Sequence, residues 1–160
     1  MNKDYNLREQ ILFKEDFVGD ETIGHEALRN AKSLDEFSEL LYKYYNAGCR
    51  SFKGVSLDVI KELVKNDFLK LDERQSGSCP STQEMIKVAD DILEKDPAAK
   101  ILFEGYAVTP FRNDYRVTIT TIILISSKNI DDPIYESFID LIKNADEIDK
   151  QDKFIYAWWD

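Results

Sequence analysis

The sequence predicts an α+β fold, with a helical N-terminal half packed on a small mixed or antiparallel sheet built from a β-hairpin, a helix and a C-terminal strand. Three observations carry this expectation. Residues 115–126, YRVTITTIILIS, alternate Val117, Ile119, Thr121, Ile123 and Ile125 onto one face against Arg116, Thr118 and Thr120, then turn apolar on both faces at Ile122 and Leu124. That is the pattern of a central strand with cover and neighbours. Helical periodicity dominates the chain before it and strand periodicity the chain after it. Helices run together and then strands argue for α+β rather than a doubly wound α/β fold.

The N-terminal elements are read from apolar spacing and capping chemistry. Leu7, Ile11 and Val18 suit a helix over residues 6–17, and Ile23, Ala27, Leu28 and Ala31 suit a short second one with His25 on its opposite side. Ser33 and Glu36 have the form of a capping box, followed by Leu34, Phe37, Leu40, Leu41 and Tyr44 at helical spacing and closed by Gly48. A further helix over residues 56–69 carries Leu57, Ile60, Leu63, Val64 and Phe68 on one face. Residues 72–80 lose their apolar side chains, and Gln75-Ser76-Gly77-Ser78 reads as a loop. This is no more than a subdomain joint within one domain spanning residues 1–160.

Ser81 and Glu84 repeat the capping box and open a helix with Met85, Ile86, Ala89, Ile92 and Leu93 on one side, ended by Pro97. Residues 100–108 read as the first strand and residues 110–114 as the turn of an antiparallel hairpin. Asp132 and Pro133 supply an N-cap and first-turn proline for a helix bearing Ile134, Tyr135, Phe138, Ile139, Leu141 and Ile142. Residues 153–159 finish as an aromatic strand, which the last crossover can set parallel to the organising strand. A winged helix-turn-helix is set aside, because about a dozen residues separate the second and third clear helices, against the usual three or four.

At 160 residues with 43% apolar and 32% charged content, the chain is long enough for one core, burying roughly 70% of its unfolded surface. MNKDYNLREQ has no apolar signal core and no run approaches the roughly 18–20 apolar residues of a membrane span. The expectation is a cytoplasmic protein. The net charge of −10 is uneven, with 12 basic and 15 acidic residues in 1–80 and 9 and 16 in 81–160. A field of that sign disfavours direct nucleic-acid binding and anionic membrane surfaces.

Motifs for chemistry are sparse. One His and the distant Cys49 and Cys79 cannot build a zinc or iron site, the acids at 131–132 and 146–152 lack calcium-loop spacing, and no phosphate-cradling glycine pattern occurs. No metal and no cofactor is expected, and no catalytic residue is assigned. His25 reads as a surface histidine. Cys79 precedes a helix N-terminus, where aligned N–H groups favour thiolate, but acidic neighbours oppose that and an ordinary loop cysteine is the simpler reading. Asp67 reads as a residue of a frayed last turn. None of these motifs is specific to one family.

The leading expectation is a noncatalytic, acidic protein-interaction module, such as an inhibitor, an immunity-type antagonist or a regulatory adaptor, with a basic protein partner. Its candidate contact residues are Phe111 and Arg112 at the hairpin tip and one of Trp158 and Trp159, which should face opposite sides of their strand. Its acidic face is Asp140, Asp146, Glu147 and Asp149, within a 131–152 segment where eight acids meet only Lys143 and Lys150. The rival expectation is a small-molecule sensor or enzyme whose pocket lies between helices and sheet, lined by Glu104, Tyr106, Arg112 and Arg116.

Overall fold

The computed structural model describes residues 5–13, 32, 49–108 and 116–160. In chain order these form α1 (Tyr5–Phe13), β1 (Cys49–Ser56), α2 (Leu57–Lys65), α3 (Thr82–Lys95), β2 (Lys100–Val108), β3 (Val117–Ile125), a 3-10 turn (Pro133–Tyr135), α4 (Glu136–Ile142), β4 (Glu147–Gln151) and β5 (Phe154–Trp158). The strands make one sheet in the order β1-β2-β3-β5-β4, and every neighbouring pair is antiparallel. The architecture is α+β. The helix expected over residues 6–17 is described as α1 through Phe13, whereas the rest of it, the short helix expected around residues 23–31, the helix expected over residues 33–48 and the hairpin turn at 110–114 lie outside the described residues.

Local chemistry sets the helix ends. Ser56 caps α2 by accepting from the Val59 amide at 3.4 Å, and the helix buries Leu57, Ile60 and Leu63. It stops at Lys65, short of the expected 69. The amides of Asp67 and Phe68 turn back to the carbonyls of Val64 and Leu63 at 3.1 and 2.9 Å, with Asp67 at φ 62°. This is a Schellman turn in which aspartate occupies the left-handed position that glycine usually fills. The predicted capping box of α3 is present: Glu84 N donates to Ser81 Oγ at 3.2 Å and Ser81 N to Glu84 Oε2 at 2.7 Å. α3 ends at Lys95, two residues before Pro97, because the residue preceding proline is driven out of helical conformation.

Two strands depart from the expected element order. β1, CRSFKGVS, falls in the half read as helical; it turns Arg50, Phe52 and Val55 inward and breaks its alternation between Phe52 and Val55, where Gly54 takes φ 66°. β4 forms where only solvated acid was expected. Because β4 and β5 make a hairpin, the chain reverses once more after α4, and the C-terminal strand runs antiparallel to β3 instead of parallel.

β3 is central, as expected, but its facing differs. The pairing of β2 with β3 shifts between Glu104 and Gly105, leaving Thr120 as an extra residue. A bulge flips the alternation downstream of it. Val117 and Ile119 face the core before the bulge, yet after it Ile122 and Leu124 are fully buried while Ile123 is half-buried and Ile125 is 40% exposed. Gly105 permits the close approach: a Cβ there would collide with the Thr118 carbonyl oxygen and sit 2.9 Å from the Phe52 ring.

One apolar cluster joins the helices to one face of the sheet, drawing Ile60 and Leu63 from α2, Met85 and Ile92 from α3, Phe138 from α4, and Phe52, Phe103, Ile122, Leu124, Ile155 and Trp159 from the sheet or its end. At its margin lies a buried ionic group that sequence patterning did not foresee. Glu9 bridges Arg8 at 3.4 Å and Arg50 at 3.1 Å, and the Arg50 guanidinium stacks 3.8 Å over Phe13. Such buried groups persist only when paired and stacked.

Candidate interaction surface

Among the described residues, one distinctive surface lies between α4 and the edge strand β4. Asp132 accepts from the Ile134 amide at 3.1 Å and Pro133 occupies the first turn, so the chain enters α4 through a 3-10 turn. α4 buries Phe138 and Ile142, which leaves Ile139 at 37% exposure and Asp140 facing outward. Among the described residues β4 pairs with β5 alone, and all five of its residues are exposed. Register sets Glu147 opposite Trp158 and Asp149 opposite Tyr156, on the sheet face away from α4. Ile148 and Lys150 stand opposite Ala157 and Ile155, on the α4 side.

An open groove of about 350 Å³ separates the two elements, lined by Ile130, Asp131, Asp132, Glu136, Ile139, Asp140, Lys143 and Lys150. Its lysines are engaged within it: Lys143 pairs with Asp140 at 3.0 Å and Lys150 with Asp131 at 2.7 Å. Glu136, Asp146, Glu147, Asp149 and Asp152 are exposed and form no ion pair with a described residue. Among the described residues the surface therefore keeps a net negative field, next to the exposed isoleucines Ile139 and Ile148.

The other candidate residues fall into a separate group. Glu104 and Tyr106 alternate with the core-facing Phe103 and Ala107, so they are half-buried on the face turned away from α2 and α3. Arg116 reaches Tyr106 Oη at 3.4 Å, Thr118 Oγ1 at 3.0 Å and Glu73 at 3.1 Å. Glu73, in the loop after α2, is one carboxylate that Arg116 engages. Phe111 and Arg112 lie outside the described residues. The two tryptophans do face opposite ways: Trp158 is half-buried, whereas Trp159 is fully buried and belongs to the core, not to a contact surface.

Cys79 is 1% exposed with its Sγ 4.0 Å from the Ile119 carbonyl. Burial pushes its thiol up, outweighing the amides of Gln75 and Ser76 and the nearby Arg74. It is a packed thiol and not an activated nucleophile. Among the described residues no cluster of His, Cys, Asp and Glu has the makings of a metal site, and no helix is long and apolar enough to cross a membrane.

Sequence reasoning named Asp140, Asp146, Glu147 and Asp149 but missed the groove and the strand edge that organise them. The signal was present. EIDKQ and FIYAW flank Asp152-Lys153 as two short runs about a two-residue turn, which has the spacing of a hairpin without its usual glycine-bearing turn residues. The charges of the first run masked it. Compared with known protein families, curated proteins and solved structures, the chain matches none.

Proposed function

We propose that this chain is a noncatalytic protein-interaction module for a basic protein partner, acting as an inhibitor, an immunity-type antagonist or a regulatory adaptor. One observation supports the reading above the others. In residues 131–152 the two lysines are each held in an ion pair, while Glu136, Asp146, Glu147, Asp149 and Asp152 stand exposed without a cation among the described residues. A face that served solubility alone would intersperse both signs and avoid large exposed apolar side chains, whereas Ile139 and Ile148 stand open beside these acids. Acidic rims steer a basic partner, and apolar groups among them supply the contact that holds it.

The test is affinity isolation from the native host with two baits in parallel, the wild type and a variant carrying Asp140→Asn, Asp146→Asn, Glu147→Gln and Asp149→Asn. Basic proteins should be retained by the wild type and lost by the variant. Raising the salt should weaken retention, as the Debye length falls from about 30 Å at 0.01 M to about 8 Å at 0.15 M. Identical retention on both baits would refute the proposal.

A further inference from the structure

We infer that the partner is taken up as an added strand: an extended segment with alternating basic and apolar side chains pairs with the free edge of β4. This rests on the basic-partner reading and specifies its geometry. Among the described residues β4 is an edge strand, and its five residues are all exposed, so alternate backbone N–H and C=O groups point away from β5 with no described residue paired to them. Proteins protect edge strands by short length, charged side chains, proline or a covering element, and on β4 the charges Glu147 and Asp149 are acidic, which repels all but a basic strand. β4 has no proline, and its one lysine is drawn aside to Asp131 at 2.7 Å.

The side chains on the two faces of β4 differ in kind, and that difference specifies the ligand. On one face Glu147 and Asp149 stand beside the half-buried rings of Trp158 and Tyr156. A lysine or arginine of an added strand would meet carboxylates directly across the pair, with an aromatic face one strand further in. On the other face Ile148, 44% exposed, and Ile139 across the groove, 37% exposed, would receive the alternate apolar side chains. A second copy of this chain is a poorer occupant, because pairing β4 with itself antiparallel brings Glu147 and Asp149 of each copy together, and like charges opposite one another destabilise a ladder.

The experiment uses the full chain and three synthetic peptides of about six residues, near the usual strand length. One alternates arginine with valine. The second has the same sequence with every second backbone amide N-methylated on its pairing edge. The third is oligolysine. Binding is followed by amide chemical shifts and by hydrogen exchange at low salt. The first peptide should shift Glu147–Gln151 and slow exchange of their outward amides by about tenfold or more at saturation, while the N-methylated peptide should give no such protection. Strand addition is overturned if the methylated peptide protects equally, or if the first peptide and oligolysine bind the acidic face without protecting β4; in both cases basic-partner binding survives. If no peptide binds at low salt, the basic-partner reading itself fails. Concentration-dependent dimers with β4 protected in the absence of peptide would instead assign the edge to a second copy.

Discussion

Asp96 is the residue on which the helical layer is tied to the sheet. It follows α3, is 4% exposed, and accepts from Ser127 Oγ at 2.5 Å, Ser127 N at 3.0 Å and the buried Tyr135 hydroxyl at 2.6 Å. Burial pushes its carboxyl up, but these hydrogen bonds outweigh burial and hold it below the ordinary range. A carboxyl depressed in the folded state contributes stability above its unfolded pKa of about 3.9 and loses it as pH falls through the lower folded value. Asp96→Asn should therefore lower unfolding free energy by about 1–3 kcal/mol at neutral pH. The gap to wild type should narrow as pH drops below about 4. Urea titrations at both ends check this, and equal midpoints at neutral pH would contradict it. The sequence shows the helix stop at Pro97 because that signal is local. It cannot show Asp96's partners, which lie 31 and 39 residues away, and Glu9 with Arg50 is hidden for the same reason.

The elements divide by how local their determinants are. Both capping residues, Ser56 and Ser81, were legible because cap and apolar stripe sit within one or two turns. β2 matched to the residue because its buried positions alternate strictly from Ile101 to Ala107. In β3 the doubled threonines Thr120 and Thr121 conceal a bulge, and the following residues are apolar at both parities, so alternation alone cannot say which set is buried. The difference is measurable. Ile122→Ala should cost about 2–5 kcal/mol as a fully buried deletion. Ile123→Ala, at a half-buried site, should cost about 1 kcal/mol. Equal losses, or the larger one at Ile123, would contradict the bulge. β1 escaped notice because Arg50, Lys53 and Gly54 interrupt its pattern, and Arg50 is buried where it pairs with Glu9 and stacks on Phe13.

For the whole molecule, one overlooked strand changes the topology and the surface together. Without β4 the chain after α4 would enter its last strand from the wrong end, and the acids at 146–152 would be a loose tail. With it, they are fixed along a sheet edge beside α4, with Asp140 on the helix side and Glu147 and Asp149 on the other. Charge imbalance was visible in composition, but its concentration on one edge depends on pairing that composition cannot express. The central claim is that this edge attracts a basic partner through its field. It is tested most directly by stopped-flow association of the isolated partner with the wild type and with the four-site neutralised variant, from about 0.02 to 0.2 M salt. Wild-type association should slow by about tenfold or more across that range, and the variant should associate more slowly at low salt with a flatter dependence and an unchanged melting transition. Equal association rates with equal salt slopes for the two proteins would contradict the claim.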